Sequence, residues 1–131
     1  MSRSTVSPLE TIKTFMETIG RKDCDGALAF IDEDCEYTNI PLGTVRGPAG
    51  VRGVLEPFFE PTLENEFVWK HSAIDGPLVF VERLDRHRLP DRWVELPVIG
   101  IFSVHDGRIT LWRDYFDAQT ILGQWPTAGE A

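Results

Sequence analysis

Apolar residues recur at intervals of three and four from Leu9 through Ile12, Phe15 and Met16 to Ile19, the spacing of one helical stripe. Ahead of them, Ser7-Pro8-Leu9-Glu10 reads as a capping box, with Ser as the N-cap, Pro at the first helical position and Glu at the third. Gly20 and Arg21-Lys22 end that helix. A short second helix is predicted over Asp25–Ile31, where Ala27, Leu28, Phe30 and Ile31 are apolar. Cys35–Ile40 then alternates as a strand does, with Pro41 and Gly43 as its stop. A third helix is expected from Gly47-Pro48 to about Phe59, because Val51, Val54, Leu55, Phe58 and Phe59 share a helical face. Pro57 interrupts that pattern and predicts a bend or an early end.

From Glu64 onward the period changes to two. Glu66–Ile74, Leu78–Arg88, Trp93–Val104 and Arg108–Phe116 all read as strands rich in Val, Ile, Phe and Trp. Asp75-Gly76, Leu89-Pro90-Asp91 and His105-Asp106-Gly107 join them as turns. Helices first and consecutive strands afterwards predict an α+β fold, with helices on one face of a curved antiparallel sheet.

Composition narrows the class. A chain of 131 residues with 42% apolar positions, 4 Trp and 8 Phe is expected to be a single domain with one sizeable core. The charge balance of −8, from 13 basic and 21 acidic residues, argues against nucleic acid or an anionic membrane as partner, since phosphate binding needs clustered Lys and Arg. Met1-Ser-Arg-Ser-Thr-Val-Ser-Pro-Leu has no apolar h-region, and no apolar run approaches the ~20 residues of a membrane span. Cys24 and Cys35 are too few for a disulfide framework. A cytoplasmic protein is the expectation.

The anomalies lie on strand faces. In Leu78–Arg88, parity puts Val79, Val81, Arg83 and Asp85 on one face and Leu78, Phe80, Glu82 and Leu84 on the other. Trp112, Asp114 and Phe116 share a face of the last strand, and Cys35, Tyr37 and Asn39 share one of the first. If these faces line one concavity, it holds Arg83, Asp85, Asp114, Tyr37 and Asn39 among apolar residues. Surface ion pairs at strand ends, worth ~0–1 kcal/mol each, would produce the same spacing. Parity alone does not say which face is buried.

Three segments carry a resemblance: Tyr37-Thr38-Asn39-Ile40-Pro41-Leu42, then Glu82-Arg83-Leu84-Asp85, then Gly107 to Asp117 with Trp112-Arg113-Asp114-Tyr115-Phe116-Asp117 at its end. Together they resemble the limonene-1,2-epoxide hydrolase family within the nuclear-transport-factor-2-like fold, over about residues 7–120 in order. The resemblance implies a cone-shaped, bent mixed sheet around a deep apolar pocket, a homodimer, and one-step addition of water to an epoxide without a covalent intermediate or a cofactor. Carried over by position, it implies that Asp85 is the general acid, Asp114 the base, Arg83 the bridge between them, and Tyr37 and Asn39 the holders of the water. Met16, Ile19, Leu96, Val98, Trp112 and Phe116 match the apolar substrate-binding positions, although each alone fits an ordinary core residue equally well. The substrate implied is a small hydrophobic, cyclic or terpenoid-like epoxide.

Electrostatics points the same way. Two carboxyls and one guanidinium carry a net −1 with both acids ionised and zero with one proton retained. In an apolar pocket the neutral arrangement is cheaper, so one carboxyl is expected to hold its proton near neutral pH. The planar fork of Arg suits such a bridge and Lys does not.

Two features depart from the family pattern. Asp85–Arg92 is strongly charged and is expected to form a loop that alters the pocket rim. The segment after Phe116, ending in Gln124-Trp125-Pro126, is expected to leave little cover.

Other chemistries find less support. His71, His87 and His105 are scattered without metal-ligand spacing and are expected at the surface or in turns. There is no Gly-x-Ser-x-Gly elbow and no Gly-rich phosphate loop. Two alternatives on the same fold stay open. One is another acid–base enzyme of ketosteroid-isomerase or polyketide-cyclase type; the other is a non-catalytic ligand-binding or dimerisation module.

Overall fold

The computed structural model describes residues 6–40 and 42–125. Pro41, Pro126 and the stretch Met1–Thr5, all used in the sequence reading, lie outside the described residues. The chain runs α1 (Pro8–Gly20), α2 (Cys24–Leu28), β1 (Ile31–Ile40), β2 (Gly43–Arg46), α3 (Gly47–Phe59), β3 (Glu64–Asp75), β4 (Leu78–Arg88), β5 (Trp93–His105), β6 (Arg108–Tyr115) and α4 (Ala118–Leu122).

The six strands form one curved mixed sheet in the order β2-β1-β6-β5-β4-β3. The β3–β4–β5–β6 run is an antiparallel meander, as the turn signals predict. Asp106 and Gly107 both have positive φ, 51° and 76°, the requirement of the tight turn that joins β5 to β6. The β1–β6 pair is parallel, so the sheet is mixed rather than wholly antiparallel. That pairing brings the early strand into the centre of the sheet, next to the last one. Register shifts in β1–β6, β3–β4 and β5–β6 supply bends that curve the sheet.

In α1, Ser7 caps the helix by accepting from the Glu10 amide at 3.1 Å, and Ile12, Phe15, Met16 and Ile19 are buried. The first and third helices lie on one face of the sheet: α1 packs on β3, β4 and β5, and α3 on β1 and β2. Their core interlocks at Phe15, which meets Trp112 edge-on with ring centroids 5.1 Å apart. No helix among the described residues is long and apolar enough to cross a membrane.

Four local expectations need correction. The second helix stops at Leu28 instead of continuing to Ile31, because Ile31 already pairs with Ile109 of β6. The first strand accordingly starts at Ile31 rather than Cys35 and includes the acidic run Asp32-Glu33-Asp34. Helix α3 retains Pro57 in its interior and ends at Phe59, as the apolar pattern requires. The strand predicted over Leu78–Arg88 is present with those bounds, so the loop reading of the charged run Asp85–Arg92 holds only beyond Arg88, and strand alternation sends Asp85 and His87 inward while Arg86 and Arg88 face outward.

The C-terminal segment also gives more cover than expected. Helix α4 is capped by Asp117, and beyond it Trp125 stacks on Phe58 with centroids 5.3 Å apart. Gln124 donates to the Glu95 carbonyl at 2.8 Å and accepts from the Glu95 amide at 3.0 Å. It thereby occupies the part of the β5 edge that β6, ending opposite Ile99, does not reach.

Candidate active site

The inward face of β4 carries Val79, Val81, Arg83, Asp85 and His87, all buried. Val79 and Val81 belong to the core beneath the helices, and the three polar residues continue the same face into a cavity of about 190 Å³. Arg83 is 2% exposed, and Asp85 and Asp114 are 6% exposed, so the surface ion-pair reading fails. Buried charges of this kind need partners.

They have them. Arg83 Nε donates to Asp85 Oδ1 at 2.7 Å, and Nη2 reaches Asp85 Oδ2 at 3.2 Å. The same Nη2 donates to Asp114 Oδ2 at 2.9 Å, so one guanidinium bridges two carboxyls. Trp112 Nε1 donates to the other Asp114 oxygen at 3.0 Å. Next to this set, Tyr37 lies flat on Trp112, ring centroids 3.7 Å apart, and its hydroxyl donates to Asn39 Oδ1 at 3.3 Å.

Sheet register explains why residues so far apart in the chain meet. The parallel β1–β6 pair sets Tyr37 opposite Trp112 and Asn39 opposite Asp114. Arg83 of β4 reaches Asp114 of β6 across the intervening strand β5. The β5 residue opposite Asp114 is Gly100. A Cβ there would stand 2.3 Å from Arg83 Nη1 and 3.1 Å from Asp114 Oδ1. The bridge therefore requires glycine at this position for space, and Nη1 is buried against it without a hydrogen-bond partner among the described residues.

Burial sets the protonation of the group. It pushes the Asp85 carboxyl up to about 6, against the pull of Arg83 and with help from the Asp114 charge. Asp114 accepts from two donors, Arg83 Nη2 and Trp112 Nε1, one on each carboxyl oxygen. Burial, and after it the Asp114 charge, raises the Tyr37 phenol well above its usual value, so it remains a neutral hydroxyl. The arrangement pairs a carboxyl that holds a proton toward neutrality, Asp85, with a second carboxyl, Asp114, whose two oxygens both accept hydrogen bonds.

All eleven residues singled out from the sequence line this one cavity. Tyr37, Asn39, Arg83, Asp85 and Asp114 form its polar cluster. Met16, Ile19, Leu96, Val98, Trp112 and Phe116 form much of its apolar wall. Sequence reasoning missed Leu42, Val54, Leu55, Phe58, Phe67 and Ile121, which supply the rest of the apolar wall. It also missed Gly100, whose signal was a glycine inside a strand pattern.

Of the three histidines, His71 and His105 are exposed, as expected. His87 is 3% exposed and lines the cavity, which corrects its surface assignment. Its signal was parity, two residues beyond Asp85 on the same face. Cys35 is buried in the core, and burial raises its thiol to about 11, away from nucleophilic chemistry. Among the described residues no group of three His, Cys, Asp or Glu side chains is placed to hold a metal ion.

The family profile described as the limonene-1,2-epoxide hydrolase catalytic domain matches residues 6–127. The chain is 32% identical over 106 residues to the epoxide hydrolase EphG of Mycobacterium tuberculosis, covering 81% of this chain and 70% of that protein. A solved structure of an M. tuberculosis LEH-like epoxide hydrolase superposes with a TM-score of 0.78 at 29% identity, covering 88% of this chain and 86% of the other. A SnoaL-like polyketide cyclase structure from Shewanella putrefaciens, its function assigned as putative, reaches a TM-score of 0.81 at 18% identity, over 92% and 97% of the two chains. At that identity the likeness is one of fold alone.

Proposed function

The chain belongs to the limonene-1,2-epoxide hydrolase family, and we propose that it adds water to a hydrophobic epoxide, giving a vicinal diol in one general acid–base step. The observation that carries this reading is the buried Arg83 bridge between Asp85 and Asp114 in an otherwise mostly apolar cavity. A proton-abstracting isomerase or cyclase needs one carboxylate and no guanidinium joining two.

Asp85 gives its proton to the epoxide oxygen as the ring C–O bond breaks. Asp114 takes a proton from the water whose oxygen forms the new C–O bond. Tyr37 and Asn39 hold that water: Asn39 sits opposite Asp114 in the sheet, and Tyr37 donates to Asn39 Oδ1, leaving the phenol oxygen able to accept. After the step Asp114 holds the proton that Asp85 has lost. Exchange of that proton between two carboxyls sharing Arg83 restores the starting state, and atoms and charges balance without a covalent enzyme intermediate. Arg83 keeps both carboxyls oriented and prevents two buried negative charges from facing each other uncompensated. Met16, Ile19, Leu96, Val98, Trp112 and Phe116 would pack on the carbon skeleton, which supports a cyclic or terpenoid-like substrate.

Diol formation from a panel of cyclic and terpenoid epoxides, with wild type beside Asp85→Asn, tests the proposal. The expected result is diol from the wild type and a loss of at least ~10²-fold in the variant. Diol from both at similar rates would remove Asp85 from its role. No diol from any member of the panel, with turnover of a ketosteroid or polyketide substrate instead, would replace the reading.

A further inference from the structure

Outside the acid–base cluster and Trp112, which serves it, the cavity lining contains one polar side chain among the described residues, His87. The ring is held on several sides. Phe58 and Phe67 meet it edge-on at centroid distances of 4.7 and 6.0 Å, and Trp125 does so at 6.1 Å. Its Nδ1 lies 2.8 Å from Asn65 Oδ1, the one hydrogen bond the His87 ring makes among the described residues. Nε2 is thus left for the cavity that the residue lines.

Burial, and after it the Arg83 charge, lowers the imidazole to about 4, so the ring is neutral at physiological pH. With Nδ1–H donating to Asn65, Nε2 is an acceptor; with the Asn65 amide turned, Nε2–H is a donor. A leucine at this place would fill the same ring-lined niche with no polar atom to satisfy. A neutral imidazole, fixed by a half-buried amide and presenting one open nitrogen, is a built hydrogen-bonding position.

We infer that His87 is a specificity-determining residue that selects epoxides carrying a hydroxyl on the carbon skeleton away from the reacting ring. This rests on the hydrolase reading above and narrows its substrate class. A hydroxyl both donates and accepts, so it satisfies Nε2 in either tautomer, whereas an ether or ketone satisfies only one. Position follows from the strand: His87 and Asp85 are two residues apart on the same face of β4, about 7 Å along it. The hydroxyl therefore lies on the part of the substrate distal to the oxygen that Asp85 protonates. A plain hydrocarbon epoxide would bury Nε2 unpaired, and sites built to bond a polar group reject analogues that lack it.

The test uses a matched pair: cyclohexene oxide bearing an isopropyl branch across the ring from the epoxide, and the same molecule with that branch oxidised to its tertiary alcohol. Wild type is expected to favour the alcohol in kcat/KM by about 10-fold or more. His87→Leu should reduce that ratio to near one, and His87→Gln should keep part of it. Equal efficiency on both substrates in the wild type, or a preference that survives His87→Leu, overturns the inference and leaves the hydrolase reading intact.

If neither molecule gives diol, binding decides the inference while the epoxide panel above decides the hydrolase reading. Dissociation constants of the two corresponding diols are then measured through Trp fluorescence for wild type and His87→Leu. Tighter binding of the hydroxylated member, lost in the variant, supports hydroxyl recognition at His87, and equal affinities overturn it.

Discussion

Two of the three arginines of strand β4, Arg83 and Arg86, each hold two carboxylates. Arg83 bridges Asp85 and Asp114 on the inner face at 2.7 and 2.9 Å. Arg86 bridges Glu66 and Glu95 on the outer face at 2.9 and 2.8 Å and lies 4.4 Å from the Trp93 ring. Residue types, charge count and distances almost coincide. The difference is water: the Arg83 side chain is 2% exposed and that of Arg86 28%, with Glu66 and Glu95 about half exposed. Where water reaches the charges, such pairs add little to stability or chemistry. Out of water, holding two anions against one cation is expensive, and the strain is relieved by a retained proton. An acid–base centre and a surface ion network are thus made from the same parts, separated by strand parity.

The contrast breaks most plainly when the two arginines are removed in turn. Arg83→Leu strands two buried carboxyls and is expected to destabilise the fold by about 3–5 kcal/mol and to abolish diol formation. Arg86→Leu removes only solvent-facing pairs, so kcat/KM should match wild type and thermal unfolding should move only marginally. Comparable losses in the two variants, read by calorimetry and diol assay, would show that burial is not what separates them.

Gly100→Ala sharpens the comparison without touching a charge. Its Cβ would meet Arg83 Nη1 at 2.3 Å, so the guanidinium must swing away from one carboxyl. A drop in kcat of about 10–100-fold is expected, of the size produced by misplacing a catalytic group. The pH–rate profile should shift with it, because the proton-sharing geometry changes. A variant that loses stability but keeps both kcat and the profile would show that Gly100 serves packing only.

The smallest effect is in the pH dependence of stability. Asp85 is raised from 3.8 to about 6 on folding, so the folded state holds the extra proton in that window and stability falls as pH rises through it. His87 is lowered from 6.5 to about 4, so the unfolded state holds the extra proton and stability rises with pH. The two oppose each other between about pH 4 and 6. Relative to wild type, Asp85→Asn should gain Tm, by a few degrees, as pH rises through this range, and His87→Leu should lose it. Melting curves at half-unit steps would show difference slopes of opposite sign; parallel slopes would contradict both assignments.

Much of this was readable along the chain. The Ser7 cap, the α1 stripe and the turns at Asp75-Gly76 and Asp106-Gly107 depend on neighbours within a few residues, and local sterics and periodicity are enough to place them. Parity correctly put Arg83 with Asp85 and Trp112 with Asp114. It was silent on which face is buried, since inner and outer faces of β4 both carry charge. Ile31 was misplaced because its strand pairing with Ile109 is remote in sequence. His87 was misjudged because the charged run Asp85–Arg92 suggested a loop, where strand alternation in fact separates two inward polar residues from two outward arginines.

The sequence by itself determined the elements, their alternation and the set of residue types able to exchange protons, because those follow from spacing and side-chain chemistry. Only the tertiary structure decided that they form a site. The parallel pairing of β1 with β6 sets Asn39 beside Asp114, and the missing side chain at Gly100 lets Arg83 reach across β5. Helices and the C-terminal segment then enclose the whole in a small cavity. The physical reason is that a carboxyl's pKa and an ion pair's worth depend on how much water surrounds them. That is a property of the packed sheet and its covering, and no stretch of chain contains it.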